Sequence, residues 1–134
     1  MLNILILEDD MERVKTLRYR CGTVCHIHHV LTRESFRNAV ATSKYDIIML
    51  DHDLGWEQDN EGWNGSRAAK IIAANKTCFG EKQIIIIHSM NPPGVANMAA
   101  ILAQCDHVDV HVVPNAWSSL SIVDDKIIFE ISSK

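Results

Sequence analysis

The sequence YDIIMLDHDLG, residues 45–55, places an unbroken apolar run directly before two carboxylates and an imidazole. A short continuous apolar run is typical of a strand that is buried on both faces, as in a parallel sheet. Asp51, His52 and Asp53 stand where this predicted strand, residues 47–50, ends. Open parallel sheets bind their ligands beyond the carboxyl ends of the strands. The stretch therefore predicts both a parallel sheet and a site at its edge.

Apolar runs alternate with amphipathic stretches along the rest of the chain. Strands are predicted over residues 2–7, 24–30, 47–50, 84–87 and 108–113, and helices over residues 11–21, 33–43, 66–75 and 94–104. Alternating strands and helices are typical of βαβ units, which build a parallel sheet with helices on both faces. We therefore predict an α/β fold with a doubly wound, five-stranded parallel sheet. The period-two pattern of residues 126–131 predicts an extra edge strand in place of a C-terminal helix.

The composition limits the class of protein. A length of 134 residues fits one domain, so residues 1–134 are expected to form a single domain. The net charge of −4 argues against general binding to nucleic-acid backbones, which requires basic patches. No apolar segment is long enough to span a membrane, and the N-terminus lacks the basic region of a signal peptide. The cysteines show no CxxC pair, so we expect free thiols and a cytoplasmic protein without a membrane partner.

Carboxylates follow two of the predicted strands. Glu8 and Asp9 follow the first strand, and Asp51 and Asp53 follow the third. Alternate residues of a strand share a face, so Asp51 and Asp53 lie on one face if the third strand continues that far. Several carboxylates in one crevice repel each other, and a hard divalent cation such as Mg²⁺ or Mn²⁺ relieves that repulsion. We predict a metal site formed by these four residues. Asp10 is expected instead to cap the first helix.

The loop after the fourth strand supplies further candidates. His88 and Ser89 follow residues 84–87, and Asn91 precedes a Pro-Pro helix start, so the loop enters a helix N-terminus that is suited to an anion. Histidines can transfer protons, and their nitrogen atoms extend the metal choice to Zn or Fe. The predicted catalytic residues are Asp51, His52 and His88, and the predicted substrate-binding residues are Ser89, Asn91 and Asn97. Helix capping by Ser89 and Asn91 is the alternative reading of the same loop.

Aromatic residues also lie near the predicted site. Trp56 and Trp63 occur in a predicted loop over residues 55–65. A tryptophan in a loop beside a site can stack on a base or close over a ligand. We therefore treat both residues as candidates for a lid or a stacking surface.

The order and spacing of these motifs over residues 1–115 resemble the receiver domain of two-component signalling. ILILEDD resembles the first strand and acidic pair of that family, which implies metal-binding positions at Glu8 and Asp9. YDIIMLD resembles the third strand, which implies a phosphoacceptor position at Asp51. IIIIHS resembles the fourth strand, with Ser89 near the family's serine or threonine. The family's lysine after the fifth strand is missing from HVVPNAW, which argues against phosphorelay signalling.

Two motifs resemble a divergent branch of that family. DHDLG and HSMNP, together with the NM at Asn97, resemble the cyclic-phosphate-processing receiver domain. The resemblance implies an enzyme that acts on cyclic phosphates or cyclic nucleotides. We predict a metal-dependent phosphoesterase whose partner is a small phosphorylated or cyclic nucleotide ligand. The alternatives are a stand-alone signalling receiver phosphorylated on Asp51 and a non-catalytic nucleotide-binding module.

Overall fold

A computed structural model describes residues 2–55, 58, 60–75, 82–123 and 126–129 of the chain. The strands are β1 (Leu2–Leu7), β2 (Cys25–Val30), β3 (Ile47–Leu50), β4 (Gln83–Ile87), β5 (Val108–Val112), β6 (Leu120–Val123) and β7 (Lys126–Phe129). The helices that concern us are α1 (Met11–Cys21), α2 (Arg33–Thr42), α3 (Gly65–Ala74), α4 (Pro92–Ala103) and the single turn α5 (Ala116–Ser119). Among the described residues, no helix has both the length and the apolar composition that crossing a bilayer requires.

The first five strands form one parallel sheet in the order β2-β1-β3-β4-β5. The chain first adds β2 on one side of β1 and then crosses to add β3 on the other. The strand order therefore reverses at β1, and a crevice opens beyond the carboxyl ends of β1 and β3. The predicted five-stranded α/β fold is confirmed.

Both faces of the sheet are covered, as the predicted doubly wound fold requires. Successive strand side chains point to opposite faces, so Leu5 and Leu7 pack with α2, α3 and α4, whereas Ile4 and Ile6 pack with α1 and α5. The last four residues of β1 and all of β3 are fully buried. Such two-sided burial explains why these strands read as continuous apolar runs.

Helix caps fix where the loops of the site end. Asp10 accepts hydrogen bonds from the backbone N–H groups of Glu12 and Arg13, which confirms its role as the N-cap of α1. Asn91 caps α4 through its Oδ1, which accepts from Gly94 N at 3.1 Å. These side chains satisfy N–H groups that the first turn of each helix leaves without a partner.

The C-terminal segment corrects one sequence expectation. Residues 126–129 are extended as predicted, but they pair antiparallel with β6 in a separate two-stranded sheet and do not extend the edge of the main sheet. Only two residues separate β6 from β7, and so short a connection favours a hairpin. Arg20 of α1 donates to the carbonyl of Leu120, which holds β6 against α1. The pairing of residues 130 and 131 lies outside the described residues.

Candidate functional site

The register of three strands sets one row of side chains at the carboxyl edge of the sheet. Leu7 lies opposite Leu50, and Leu50 lies opposite Ile87. The next residues along these strands are Glu8, Asp51 and His88. Asp51 N donates to Leu7 O at 3.2 Å, and His88 N donates to Leu50 O at 3.0 Å, so the pairing continues past the ends of the strands. The row is therefore a direct consequence of the sheet register.

These three side chains are buried, and their polar atoms lie close to one another. The exposed fractions are 0% for Glu8, 4% for Asp51 and 0% for His88. One ligand atom from each lies within 4.8 Å of the others, and His88 Nε2 is 3.1 Å from Glu8 Oε1. Glu8 Oε2 accepts from the backbone N–H groups of Asp9 and Asp10, while Asp51 Oδ1 accepts from His52 N. The backbone thus fixes both carboxylates.

Burial shifts the protonation of all three groups. It raises the pKa of Glu8, and it raises the pKa of Asp51 to about 7, with the neighbouring Glu8 charge adding to the effect. Burial also lowers the pKa of His88 to about 4. Near neutral pH His88 is therefore an uncharged imidazole. Glu8 and Asp51 are shielded from water, and the negative charge of one carboxylate disfavours ionisation of the other.

The donor set fits a divalent cation. Two carboxylates that resist ionisation and one neutral imidazole gain from a shared positive charge. His88 Nδ1 is buried and has no hydrogen-bond partner among the described residues. Two oxygen ligands and one nitrogen ligand are compatible with Mg²⁺ or Mn²⁺ and also with Zn²⁺ or Fe²⁺. The residues therefore agree with a metal site while leaving the identity of the metal open.

The other predicted metal ligands lie around this row and not within it. Asp9 is exposed, and the side chain of Asp53 is 61% exposed. Both line an open depression of about 320 Å³, whose other lining residues are Asp10, Arg13, Asp51, Ser89, Met90 and Asn91. β3 ends at Leu50, so the strand alternation expected to place Asp51 and Asp53 on one face does not continue that far. The structure thus joins Glu8 and Asp51 with His88 and leaves two carboxylates at the rim.

His52 occupies a separate polar network. Its Nδ1 lies 2.9 Å from Asp53 Oδ1, and its Nε2 lies 3.1 Å from Ser66 Oγ. Asn91 Nδ2 also donates to Asp53, and Asn97 Nδ2 donates to Ser66 Oγ at 2.7 Å. The hydrogen bond from His52 holds the pKa of Asp53 below its usual range. A carboxylate that accepts from Nδ1 fixes the imidazole tautomer and orients the ring, as an acid–base histidine requires.

Arg13 is a residue of the site that the sequence interpretation missed. Its Nη1 lies 3.6 Å from Glu8 Oε1 and 4.0 Å from Asp51 Oδ2, and its guanidinium lies over the ring of Trp117 at 5.4 Å. One signal was available. Arg13 stands in the first turn of α1, where the helix dipole disfavours a cation. A basic residue at such a position indicates acidic partners nearby.

The comparisons with known proteins agree with this architecture. The family model for the cyclic-phosphate processing receiver domain matches residues 4–104. The chain belongs to this family. No curated protein sequence matches the chain.

Solved structures similar to this cyclic-phosphate processing receiver domain are response-regulator receivers. A phosphorylated cyanobacterial phytochrome response regulator, RcpA, gives a TM-score of 0.61 at 14% identity over 84% of this chain and 79% of that chain. A response regulator from Clostridium difficile gives 0.58 at 16% identity over 84% and 82%. A CheY-like receiver from Methanospirillum hungatei gives 0.58 at 12% identity over 86% and 85%. At these identities the likeness establishes the receiver fold alone.

The predicted substrate-binding residues of this receiver domain are spread over two places. Ser89 is buried and its Oγ accepts from Asn91 N, and Asn91 caps α4, so the capping alternative describes these contacts. Both residues nevertheless line the depression beside Asp51. Asn97 bonds to Ser66 and supports the His52 network. Substrate binding by the three residues stays a prediction.

The tryptophan expectation is wrong for Trp63. This residue is only 1% exposed, its Nε1 donates to Leu31 O at 2.8 Å, and its ring packs near Phe36. A buried, hydrogen-bonded indole serves the core and can neither close over a ligand nor stack on a base. Trp56 lies outside the described residues.

We expect Gly94→Ala to disturb the His52 network. A Cβ at Gly94 would collide with the imidazole ring of His52, including the Nδ1 atom that contacts Asp53, so the ring or the helix must shift. Overpacking of this kind costs about 1–3 kcal/mol, measurable by urea denaturation. In a His52→Ala background the clash is removed, and the same change should be neutral or slightly stabilising because alanine is favoured in a helix. An equal cost in both backgrounds would contradict this account of the contact.

Proposed function

We propose that this receiver domain is a metal-dependent phosphoesterase that hydrolyses a cyclic phosphate or cyclic nucleotide at the carboxyl edge of its sheet. The observation that carries the proposal is the buried row of Glu8, Asp51 and His88 beside an open polar depression. Membership of the cyclic-phosphate processing family supports cyclic phosphates as the substrate class. Our proposal adds the hydrolytic reaction and the roles of the residues.

The metal would be held by the buried row, with Asp9 and Asp53 available at the rim. A bound divalent cation supplies Lewis-acid polarisation of a phosphoryl oxygen and activation of water. His88 belongs with the ligands and not with the proton donors, because burial lowers its pKa to about 4 and leaves it uncharged. This assignment differs from a general-acid role for His88 and rests on its depth below the surface.

Arg13 would bind the phosphate oxygens. Arg13 lines the depression and its side chain is 28% exposed, so a ligand in the depression can reach it, while its Nη1 lies near Glu8 and Asp51. A guanidinium matches the geometry of phosphate oxygens and stays charged at every relevant pH. The contact with Trp117 limits the motion of the side chain.

His52 would carry the proton. Hydrolysis forms one P–O bond to the oxygen of water and breaks one ring P–O bond; the attacking water releases one proton to solvent, and the leaving oxygen takes one from His52, which is then reprotonated from solvent. Asp53 accepts from Nδ1 of His52 and stabilises the imidazolium that donates it. Asn91 donates to Asp53 and keeps that carboxylate in place. Asp53 lines the depression beside this imidazole, so a leaving oxygen bound there would take the Nδ1 proton in place of the Asp53 carboxylate.

The test is incubation of the purified protein with Mg²⁺ or Mn²⁺ and a panel of cyclic phosphates. The panel contains 2′,3′-cyclic and 3′,5′-cyclic mononucleotides, cyclic di- and trinucleotides, and cyclic phosphates derived from ADP-ribose. Mass spectrometry should show addition of one water to at least one substrate, with loss of turnover in EDTA. A panel left unchanged with every metal would contradict the proposal.

A second candidate, a signalling receiver, is favoured by the position of Asp51. This carboxylate ends β3 in a receiver fold similar to that of a phosphorylated response regulator, and the cation of Arg13 lies 4.0 Å away. Incubation with acetyl phosphate separates the two functions. A stable phosphoryl adduct on Asp51 without turnover of any cyclic phosphate would favour signalling.

We expect Arg13→Gln to weaken substrate use about tenfold in kcat/KM, because one charged contact to phosphate is lost. Arg13→Lys should recover part of the loss, since lysine keeps the charge without the bidentate fork. Lys15→Gln is the matched control, because Lys15 lies on the same helix but pairs only with exposed Glu12 among the described residues. Equal activity of Arg13→Gln and the control would exclude a phosphate contact.

A further inference from the structure

A second depression lies between α2 and α3, away from the candidate metal row. Its wider part has a volume of about 800 Å³, and an adjoining part has about 340 Å³. None of its described lining residues lines the depression beside Asp51. Volumes of this order are typical of small-ligand sites. We refer to it as the α2–α3 groove.

Four cations line the narrower part of the α2–α3 groove. Arg33 and Arg37 are four residues apart on α2, and Arg67 and Lys70 are three apart on α3, so each pair shares a helix face. No carboxylate is among the described residues of this part. All four side chains are exposed, and none forms an ion pair within the described ranges. The chain carries a net charge of −4, so this concentration of positive charge does not reflect a generally basic surface.

Trp63, a lining residue of the groove, is held in place by the core and contacts one of the four cations. Trp63 is buried and donates from Nε1 to Leu31 O, and the guanidinium of Arg33 lies 5.8 Å from its ring centroid. A cation held against an aromatic ring is preorganised, so less conformational entropy is lost when an anion binds. This contact gives the cation cluster a fixed anchor.

The wider part of the groove has a different chemistry. Glu34, Glu61, Asn38 and Gln58 line it together with the shared Arg33 and Arg37. Carboxylates repel phosphate but accept hydrogen bonds from sugar hydroxyls and from the amino groups of bases. The groove therefore has a cationic end and an end rich in hydrogen-bond acceptors.

We propose that the α2–α3 groove binds a nucleotide with at least two phosphoryl groups. The phosphates would contact the four cations of the narrower part, and the nucleoside would lie against Glu34 and Glu61. An oligophosphate without a nucleoside uses only the cationic end, and a nucleoside without phosphate uses only the other. This site does not depend on the proposed phosphoesterase activity.

The experiment is an NMR titration of the ¹⁵N-labelled full chain with ADP in EDTA, so that no divalent metal bridges the nucleotide to Asp51. Saturable shifts are expected at residues 33–38 and 67–75 and at the indole N–H of Trp63. Asp51→Asn should bind ADP equally well. Shifts confined to the residues around Asp51 and Ser89 would overturn the proposal.

Matched variants test the two ends of the groove. Arg37→Gln and Arg67→Gln should each weaken ADP about tenfold, whereas Lys44→Gln, an exposed cation outside the groove, should leave affinity unchanged. Glu61→Gln should weaken ADP but leave pyrophosphate binding equal or stronger. Pyrophosphate should bind more weakly than ADP, and adenosine should bind weakest. Equal affinities for ADP, pyrophosphate and oligoglutamate would show unspecific charge attraction and overturn the proposal.

Discussion

Asp51→Asn is expected to lower metal-dependent turnover of the cyclic phosphate by about 10³-fold, the effect of removing one central electrostatic group from an active site. Asparagine has nearly the same shape as aspartate, and its Oδ1 can still accept from His52 N as Asp51 does at 2.9 Å. The fold should therefore persist while the second anionic ligand of the row is lost. Steady-state kinetics with saturating Mn²⁺ measures the effect on kcat.

The controls separate loss of the ligand from loss of a surface charge. Asp106→Asn removes an exposed carboxylate that has no described hydrogen-bond partner, and it should retain full activity. His88→Ala should lose metal affinity, seen as a higher Mn²⁺ concentration for half-maximal rate. If the kcat of Asp51→Asn stayed within threefold of that of the unmodified protein at saturating metal, the phosphoesterase proposal would be contradicted.

The edge of the sheet was predictable from the sequence because a short list of rules defines it. Continuous apolar runs at residues 4–7, 47–50 and 84–87 identify buried parallel strands, and the polar residues after them must lie at the carboxyl edge. This reasoning places Glu8, Asp51 and His88 near one another. The sequence does not give the pairing register of the strands. That register places these three residues side by side and buries them.

The partition of the carboxylates could not be predicted for the same reason. Asp51 and Asp53 were expected to share a face, but β3 ends before Asp51 and the chain turns outward. Where a strand ends depends on the segments around it. Asp51 N still donates to Leu7 O of the neighbouring strand, but His52 O accepts from Gly65 N, which lies outside the sheet. A Cβ at Gly65 would collide with the carbonyl oxygen of Asp51, so this close approach requires glycine.

Arg13 shows how a distant part of the sequence can supply a missing charge. The residues directly after β5, Val113 and Pro114, include no lysine, and Val113 N donates to Ile87 O. The guanidinium of Arg13 nevertheless lies near Asp51, because α1 begins shortly after β1 and its first turn lies beside the buried row. Trp117 holds this side chain from a segment about a hundred residues away in sequence. No local pattern connects these two residues.

The second large expected effect concerns stability without metal. Asp51 has a pKa of about 7 in the folded protein, against an ordinary value of 3.8, so the folded state binds more protons between these values. The contribution of this group to the free energy of unfolding is therefore complete below pH 3.8 and is lost as the pH rises through about 7. At one pKa unit per 1.36 kcal/mol, the ionised group costs about 2–4 kcal/mol at pH 8. His88 acts in the opposite sense, because its depressed pKa of about 4 makes stability fall as pH decreases from 6.5.

Asp51→Asn should therefore be more stable than the unmodified protein in EDTA at pH 8, by about 2–4 kcal/mol, and nearly equal to it at pH 4. Urea denaturation at pH 4, 6 and 8 measures the difference, and Asp106→Asn should follow the unmodified protein throughout. Mg²⁺ or Mn²⁺ should stabilise the unmodified protein at pH 8 and leave Asp51→Asn almost unchanged, because binding to the folded state alone raises the free energy of unfolding. A destabilised Asp51→Asn at pH 8 would show that the buried carboxylate stabilises the fold even without a cation. If Mg²⁺ and Mn²⁺ also failed to stabilise the unmodified protein at pH 8, the row would be a structural hydrogen-bond cluster and not a metal site.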